Sequence, residues 1–139
     1  MIAYFDTSAL VKLFLDEPGR ELVERSWDAF GARVTSVAAY PEARSALAGA
    51  VRAGRLGLEV RAMAIDELGS LFSEMSVVEL GIELAQEAGN LAERYTLRGY
   101  DAVHLASALT VDDEATTVIT WDAHLADAAA AAGLSVVPV

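Results

Sequence analysis

The chain has 139 residues, 54% of them hydrophobic, with no cysteine and a formal charge of −11. That length suits one compact domain, here spanning residues 1–139, with an apolar core of its own. The missing cysteines exclude disulfide scaffolds, zinc ribbons and thiol chemistry, and they fit a reducing cytosol.

The opening MIAYFDTSAL has no basic leader and an acid at position 6, so it does not read as a signal peptide. No apolar run reaches the ~20 residues of a membrane helix. The expected setting is the cytoplasm, with no membrane partner.

IAYF at residues 2–5 is a short apolar run that stops at Asp6, after which Thr7 or Ser8 can cap a helix reaching Leu15. Pro18 suits the start of a second helix reaching about Phe30. ARVTS is a strand ending at Ser36, a further capping residue, and a long helix then runs to about Ala53-Gly54. Leu58 to Met75 reads as helix and SVVEL, residues 76–80, as a strand. Ile82 to Tyr95 is a helix with Leu84, Ala88, Leu91 and Tyr95 on one face. A helix from about Tyr100 to Val111 precedes the strand TTVIT, residues 116–120. Ala123 to Ala132 is an alanine-rich helix stopped by Gly133, and LSVVPV closes the chain as a strand. Short apolar strands alternating with helices indicate an α/β fold of about five strands, a parallel sheet with helices on both faces.

Charge is unevenly placed. All ten basic residues lie between Lys12 and Arg98, while Gly99 to Val139 carries six acids and no Lys or Arg. A nucleic-acid binder usually shows the opposite balance, because phosphate neutralisation supplies much of its affinity. Bound metal would neutralise part of the acid, and net charge does not describe the field beside Arg44, Arg52, Arg55 or Arg98.

Ligands of an open parallel sheet bind beyond the carboxyl ends of its strands. Asp6 directly follows the first strand, and Asp122 follows TTVIT with only Trp121 between. Glu42 falls in the second turn of the helix leaving the second strand, and Asp101 lies at a helix start just past Gly99. Each alone has a bland reading as a cap, a dipole partner or an exposed helix acid. Together, without basic partners, they would repel one another and raise each other's pKa. A divalent cation is the simplest remedy, and all-oxygen ligation suits Mg²⁺ or Mn²⁺.

Four stretches, FDTSALVKLFLDEPG, SVAAYPEARSALA, LRGYDAVHLASAL and TVITWDAHLADAAAAAGLSVV, resemble a PIN domain of the VapC-type toxins found in bacterial toxin–antitoxin pairs. The resemblance covers essentially the whole chain, and the order and spacing of the blocks carry it. It implies a three-layer α/β/α sandwich with strand order 3-2-1-4-5 and an endoribonuclease using Mg²⁺ or Mn²⁺. It also implies homodimerisation, extending to higher toxin–antitoxin assemblies, and inhibition by a VapB-type antitoxin. Position by position, the acidic quartet falls on Asp6, Glu42, Asp101 and Asp122, as catalytic and metal-binding residues. Thr7 or Ser8, and Thr120, match the polar helpers. Pro41, inside the expected helix, departs from the pattern and puts the aim of Glu42 in question.

The implied reaction is metal-assisted hydrolysis of an RNA phosphodiester, with Glu42 completing the cation shell or orienting the attacking water. Its products would be a 5′-phosphate and a 3′-hydroxyl. Arg44 and Arg98 are candidates for substrate phosphates, whereas Arg52 and Arg61 read as solvated helix positions. His104 and His124 read as packed or capping residues as readily as proton shuttles, and Asp127 as an exposed helix acid. Trp27, Trp121 and the tyrosines read as core rather than as base-stacking platforms. The antitoxin would lay a basic segment across the acidic pocket.

Three other readings compete. A haloacid dehalogenase-type phosphatase needs an Asp at position 8, which is Ser8, and a later Lys. A receiver domain also needs that Lys, and none follows Lys12. A non-catalytic α/β protein-binding module with a degenerate acidic site would use the acids for solubility alone.

Overall fold

The computed structural model describes residues 1–111 and 115–138. Three of the six C-terminal acids (Asp112, Asp113 and Glu114) and Val139, the end of the expected last strand, lie outside the described residues.

Five parallel strands form one sheet in the order β3-β2-β1-β4-β5. They are β1 (Ile2–Phe5), β2 (Ala32–Ser36), β3 (Ser76–Val78), β4 (Thr116–Ile119) and β5 (Ser135–Val137). β1 is central, with Ile2 level with Ala32 on one side and Thr116 on the other. The chain builds outward from β1 through β2 to β3, then crosses to start β4 on the opposite flank. The carboxyl ends of β1 and β4 therefore border the crevice where the order reverses, the usual ligand position in such sheets.

Side chains alternate across a strand, and β1 divides the core accordingly. Tyr4 joins Val34 and Val118 beneath α5 (Ile82–Tyr95), α6 (Gly99–Thr110) and α7 (Ala123–Ala131). Ala3 and Phe5 join Ile119 on the other face, packed by α1 (Thr7–Leu10) and α2 (Arg20–Ala29). A third cluster ties α3 (Ala39–Arg52) to α4 (Leu58–Glu74) through Leu47 and Leu68. The three layers are as expected, and so is the α5 stripe: Ala88 and Leu91 are buried, with Leu84 and Tyr95 partly buried beside them.

Several boundaries differ. The first helix is one turn of α-helix followed by a 3-10 turn over Val11–Leu13, capped by Asp6 rather than Thr7 or Ser8. The second begins at Arg20, after Gly19 in a left-handed conformation (φ 100°). α3 starts at Ala39 with Ala38 as N-cap, and the Ser36 hydroxyl accepts only from the Ala38 N–H. Glu42 consequently sits in the first turn, not the second. Pro41 then occupies the last position whose N–H has no partner within the helix, so it removes no hydrogen bond. Glu42 N is the first to pair, with Ala38 O at 3.3 Å.

Candidate active site

All four acids lie at helix N-termini. Asp6 and Asp122 are the N-caps of α1 and α7, and Glu42 and Asp101 lie in the first turns of α3 and α6. Two of them do cap helices: Asp6 Oδ1 accepts from Ala9 N and Asp122 Oδ1 from Leu125 N, both at 3.0 Å. Each helix end adds partial positive charge, worth about 0.3–1 kcal/mol near an acid. That partly offsets the repulsion of the cluster.

Asp6 is 4% exposed and held on three sides. Ser8 Oγ donates to Oδ1 and Thr120 Oγ1 to Oδ2, both at 2.7 Å, beside the Ala9 N–H. Two bonds fill Oδ1, and among the described residues Oδ2 takes one, which leaves it a second lone-pair direction. Burial still pushes the Asp6 carboxyl above its usual range, although the His104 charge, Thr120, Ser8 and Ala9 all pull it down. Thr120 also accepts from Asp122 N at 3.0 Å, and Ser8 accepts from Trp121 N at 2.9 Å. These bonds lock the loop after β4 to the start of α1.

Glu42 is tied from the other side. Its Oε1 accepts from Thr7 Oγ1 at 2.8 Å and from His104 Nε2 at 2.7 Å. Burial raises its pKa, but the His104 hydrogen bond, the His104 charge and the Thr7 hydroxyl outweigh that and hold it low. Oε2 has no hydrogen-bond partner among the described residues. Asp101 is half-buried and lifted first by burial, then by the charge of Asp122, with Glu42 and Asp6 adding to it. The His104 charge pulls it down without cancelling the rise.

Among the described residues no three acidic or histidine side chains form a group that could hold a metal ion as they stand. Asp6 and Glu42 are turned into protein hydrogen bonds. The donor chemistry nonetheless fits a hard divalent cation: none of the four carboxylates is salt-bridged by Lys or Arg among the described residues, and Asp122, Glu42 and Asp6 add to burial in raising the pKa of Asp101.

Thr7, Ser8 and Thr120 all join the network. Arg44 does not face it freely, since its guanidinium bonds Tyr40 Oη at 3.2 Å and lies over the Tyr40 ring. Arg98 is exposed at the N-cap of α6. Asp127 and His124 are exposed, as is Arg52, while Arg61 is half-buried. Trp121 is covered by Lys12 Nζ at 4.8 Å from its ring centroid and closely approached by Gly19. Trp27 packs on Phe5, and of the tyrosines only Tyr100 is largely exposed. Sequence reasoning missed His104 as the partner of Glu42 and Tyr4 as the partner of His104. The spacing of Asp101 and His104, three apart on one helix, was the one available signal.

The PIN-domain profile matches residues 3–132. The chain belongs to the PIN-domain family. This PIN domain is 44% identical to Ribonuclease VapC45 of Mycobacterium tuberculosis (strain CDC 1551 / Oshkosh) over 137 residues, 99% of this chain and 95% of that protein. Its fold is shared with M. tuberculosis VapC20, described as a sarcin-ricin loop cleaving toxin, at TM-score 0.71, 18% identity and 95% coverage of both chains. It is also shared with a chain of a toxin–antitoxin complex from Klebsiella pneumoniae, at TM-score 0.61, 21% identity and 86% coverage of both.

Proposed function

We propose that residues 1–139 form a PIN-domain endoribonuclease that hydrolyses RNA phosphodiester bonds with Mg²⁺ or Mn²⁺. In this reading it is the toxin of a toxin–antitoxin pair. The observation that carries the reading is the convergence of Asp6, Glu42, Asp101 and Asp122 with no Lys or Arg paired to any of them among the described residues. The 44% identity to a ribonuclease over nearly the full chain supports it.

Asp6, Asp101 and Asp122 would hold the cation, and Glu42 would complete the shell or orient the attacking water. A bound cation supplies activation of water at neutral pH and neutralisation of charge on the leaving oxygen. The chain's own contribution is order. Thr120, Ser8 and the Ala9 N–H hold Asp6 while sparing one direction of Oδ2, and Thr7 and His104 hold Glu42 by Oε1 while sparing Oε2. Arg98, exposed and near Asp101 in sequence, would hold a substrate phosphate, with Arg44 as a second candidate.

A VapB-type antitoxin is the proposed inhibitor, laying a basic segment on the acidic pocket, and the toxin itself is proposed to be a homodimer acting in the cytoplasm. No helix among the described residues is long and apolar enough to cross a membrane. The competing reading, a non-catalytic module, draws on the capping roles of Asp6 and Asp122.

Labelled RNA incubated with Mn²⁺ or Mg²⁺, with and without EDTA, beside Asp6→Asn, decides between them. Cleavage that needs the cation and disappears in the variant supports the nuclease. Equal cleavage by the variant points to a contaminant and leaves the site without support.

A further inference from the structure

His104 is 2% exposed and sits on α6 three residues after Asp101, with both ring nitrogens engaged. Nδ1 meets the Tyr4 hydroxyl at 2.7 Å, and Nε2 meets Glu42 Oε1 at 2.7 Å and Thr7 Oγ1 at 3.2 Å. The two rings stand edge to face, 5.9 Å between centroids.

A neutral imidazole has one donor and one acceptor nitrogen. An ionised Glu42 can only accept, so Nε2 carries the hydrogen. With the ring uncharged, Nδ1 then accepts from the Tyr4 hydroxyl, which burial and the Asp6 charge keep protonated. Thr7 gives its own hydrogen to Glu42 Oε1, which leaves its oxygen open to the Nε2–H. These roles are mutually consistent, with the Nε2–H shared between Glu42 and Thr7.

We propose that Tyr4 and His104 are positioning residues for Glu42. Through the buried chain Tyr4–His104–Glu42, the central strand fixes the direction of a carboxylate carried on a different helix. The inference rests on the reading above of Glu42 as a working member of the site. Its physical content is preorganisation: Oε1 is held by a rigid, buried support, so Oε2 meets its target without first being ordered. Tyr4 lies one residue inside the strand whose end bears Asp6 and Thr7. The same strand therefore registers three members of the site.

Tyr4→Phe is the main test, since it removes one hydroxyl and leaves the ring in the core. Single-turnover cleavage should fall about three- to tenfold, the cost of one such hydrogen bond, with RNA affinity unchanged. In a Glu42→Gln background the same change should have no further effect. His104→Gln, whose amide can still donate to Glu42, should retain more activity than His104→Leu. A ¹⁵N-resolved imidazole spectrum of the cation-free protein should show the Nε2–H tautomer, with that bias weakened in Tyr4→Phe. An Nδ1–H tautomer, or an equal Tyr4→Phe effect with and without Glu42, overturns the proposal. Wild-type protein that cleaves no RNA overturns the nuclease reading instead, and the spectrum still decides the chain. Glu42→Gln cleaving at the wild-type rate leaves nothing to position and also overturns it.

Discussion

Thr120 Oγ1 donates to Asp6 Oδ2 at 2.7 Å, joining the ends of two adjacent strands whose residues are 114 apart in the chain. The same oxygen accepts from Asp122 N, so one hydroxyl serves two acids. Thr120→Val keeps the volume and deletes both bonds. We expect a loss of about 1–3 kcal/mol in urea unfolding measured in EDTA, the usual cost of leaving buried polar groups unpaired. Cleavage should fall with it, and Thr120→Ser should recover most of both. Unfolding unchanged by Val would mean that water replaces the hydroxyl.

The stability of cation-free protein should depend on pH in a direction set by these carboxyls. Burial, joined at Asp101 by the charge of Asp122, raises the folded values of Asp6 and Asp101 above the ordinary 3.8. The folded chain then binds those protons more tightly than the unfolded one, so stability is lost as pH climbs from about 3.8 through the raised values. Glu42 has the opposite sign. Its folded value lies below 4.5, so its contribution is present above that and lost as pH falls through the lowered value. Asp101→Asn isolates one raised group. In EDTA near neutral pH it should raise Tm by about 1–3 °C, a small gain because the group is half-exposed, and the gain should vanish at low pH. A gain that persists in acid would contradict the assignment.

Gly19 has φ 100°, and a Cβ there would stand 2.6 Å from Trp121 Cζ2. Gly19→Ala is therefore strained in its backbone and clashes with a ring. A cost of about 1–3 kcal/mol is expected, from left-handed strain plus overpacking. Because Trp121 N bonds Ser8, which bonds Asp6, the damage should reach the site. Tryptophan fluorescence and cleavage should change together, and a fluorescence shift without loss of activity would show that the ring and the site are uncoupled.

Arg98 is exposed, whereas Arg44 is bonded to Tyr40. If Arg98 holds a substrate phosphate, Arg98→Ala should weaken RNA binding and reduce the slope of log affinity against log salt by about 0.7, one single-strand contact. Arg44→Ala should change that slope less. Identical slopes for wild type and Arg98→Ala would remove Arg98 from the interface.

Where pattern and packing agree, the sequence was a good guide. The bounds of β2 and α5 were readable, because ARVTS is a short run with β-branched Val34 and Thr35 and the α5 stripe repeats at helical spacing. The four acids were findable because three follow strand ends or a glycine break, and the topology gathers those ends. Pro41 misled for a local reason: taking Ser36 as the cap set the helix start two residues early, which put the proline inside it. The Tyr4–His104–Glu42 chain was out of reach, since it depends on the sheet bringing residues 4, 42 and 104 together. No spacing along the chain encodes that.

The strand order has a consequence for how the protein is made. β1 is the first of these five strands to be synthesised, yet it pairs on one flank with β4, whose last residue is Ile119. Asp6 therefore waits for Thr120, and the acid cluster waits for Asp122, until most of the chain exists. A translation product stopped anywhere before that point carries at most three of the acids and lacks the Thr120 bond to Asp6. Such fragments should be inert, so the harm of a toxin would be withheld from its own ribosome until the final strands can fold onto the first.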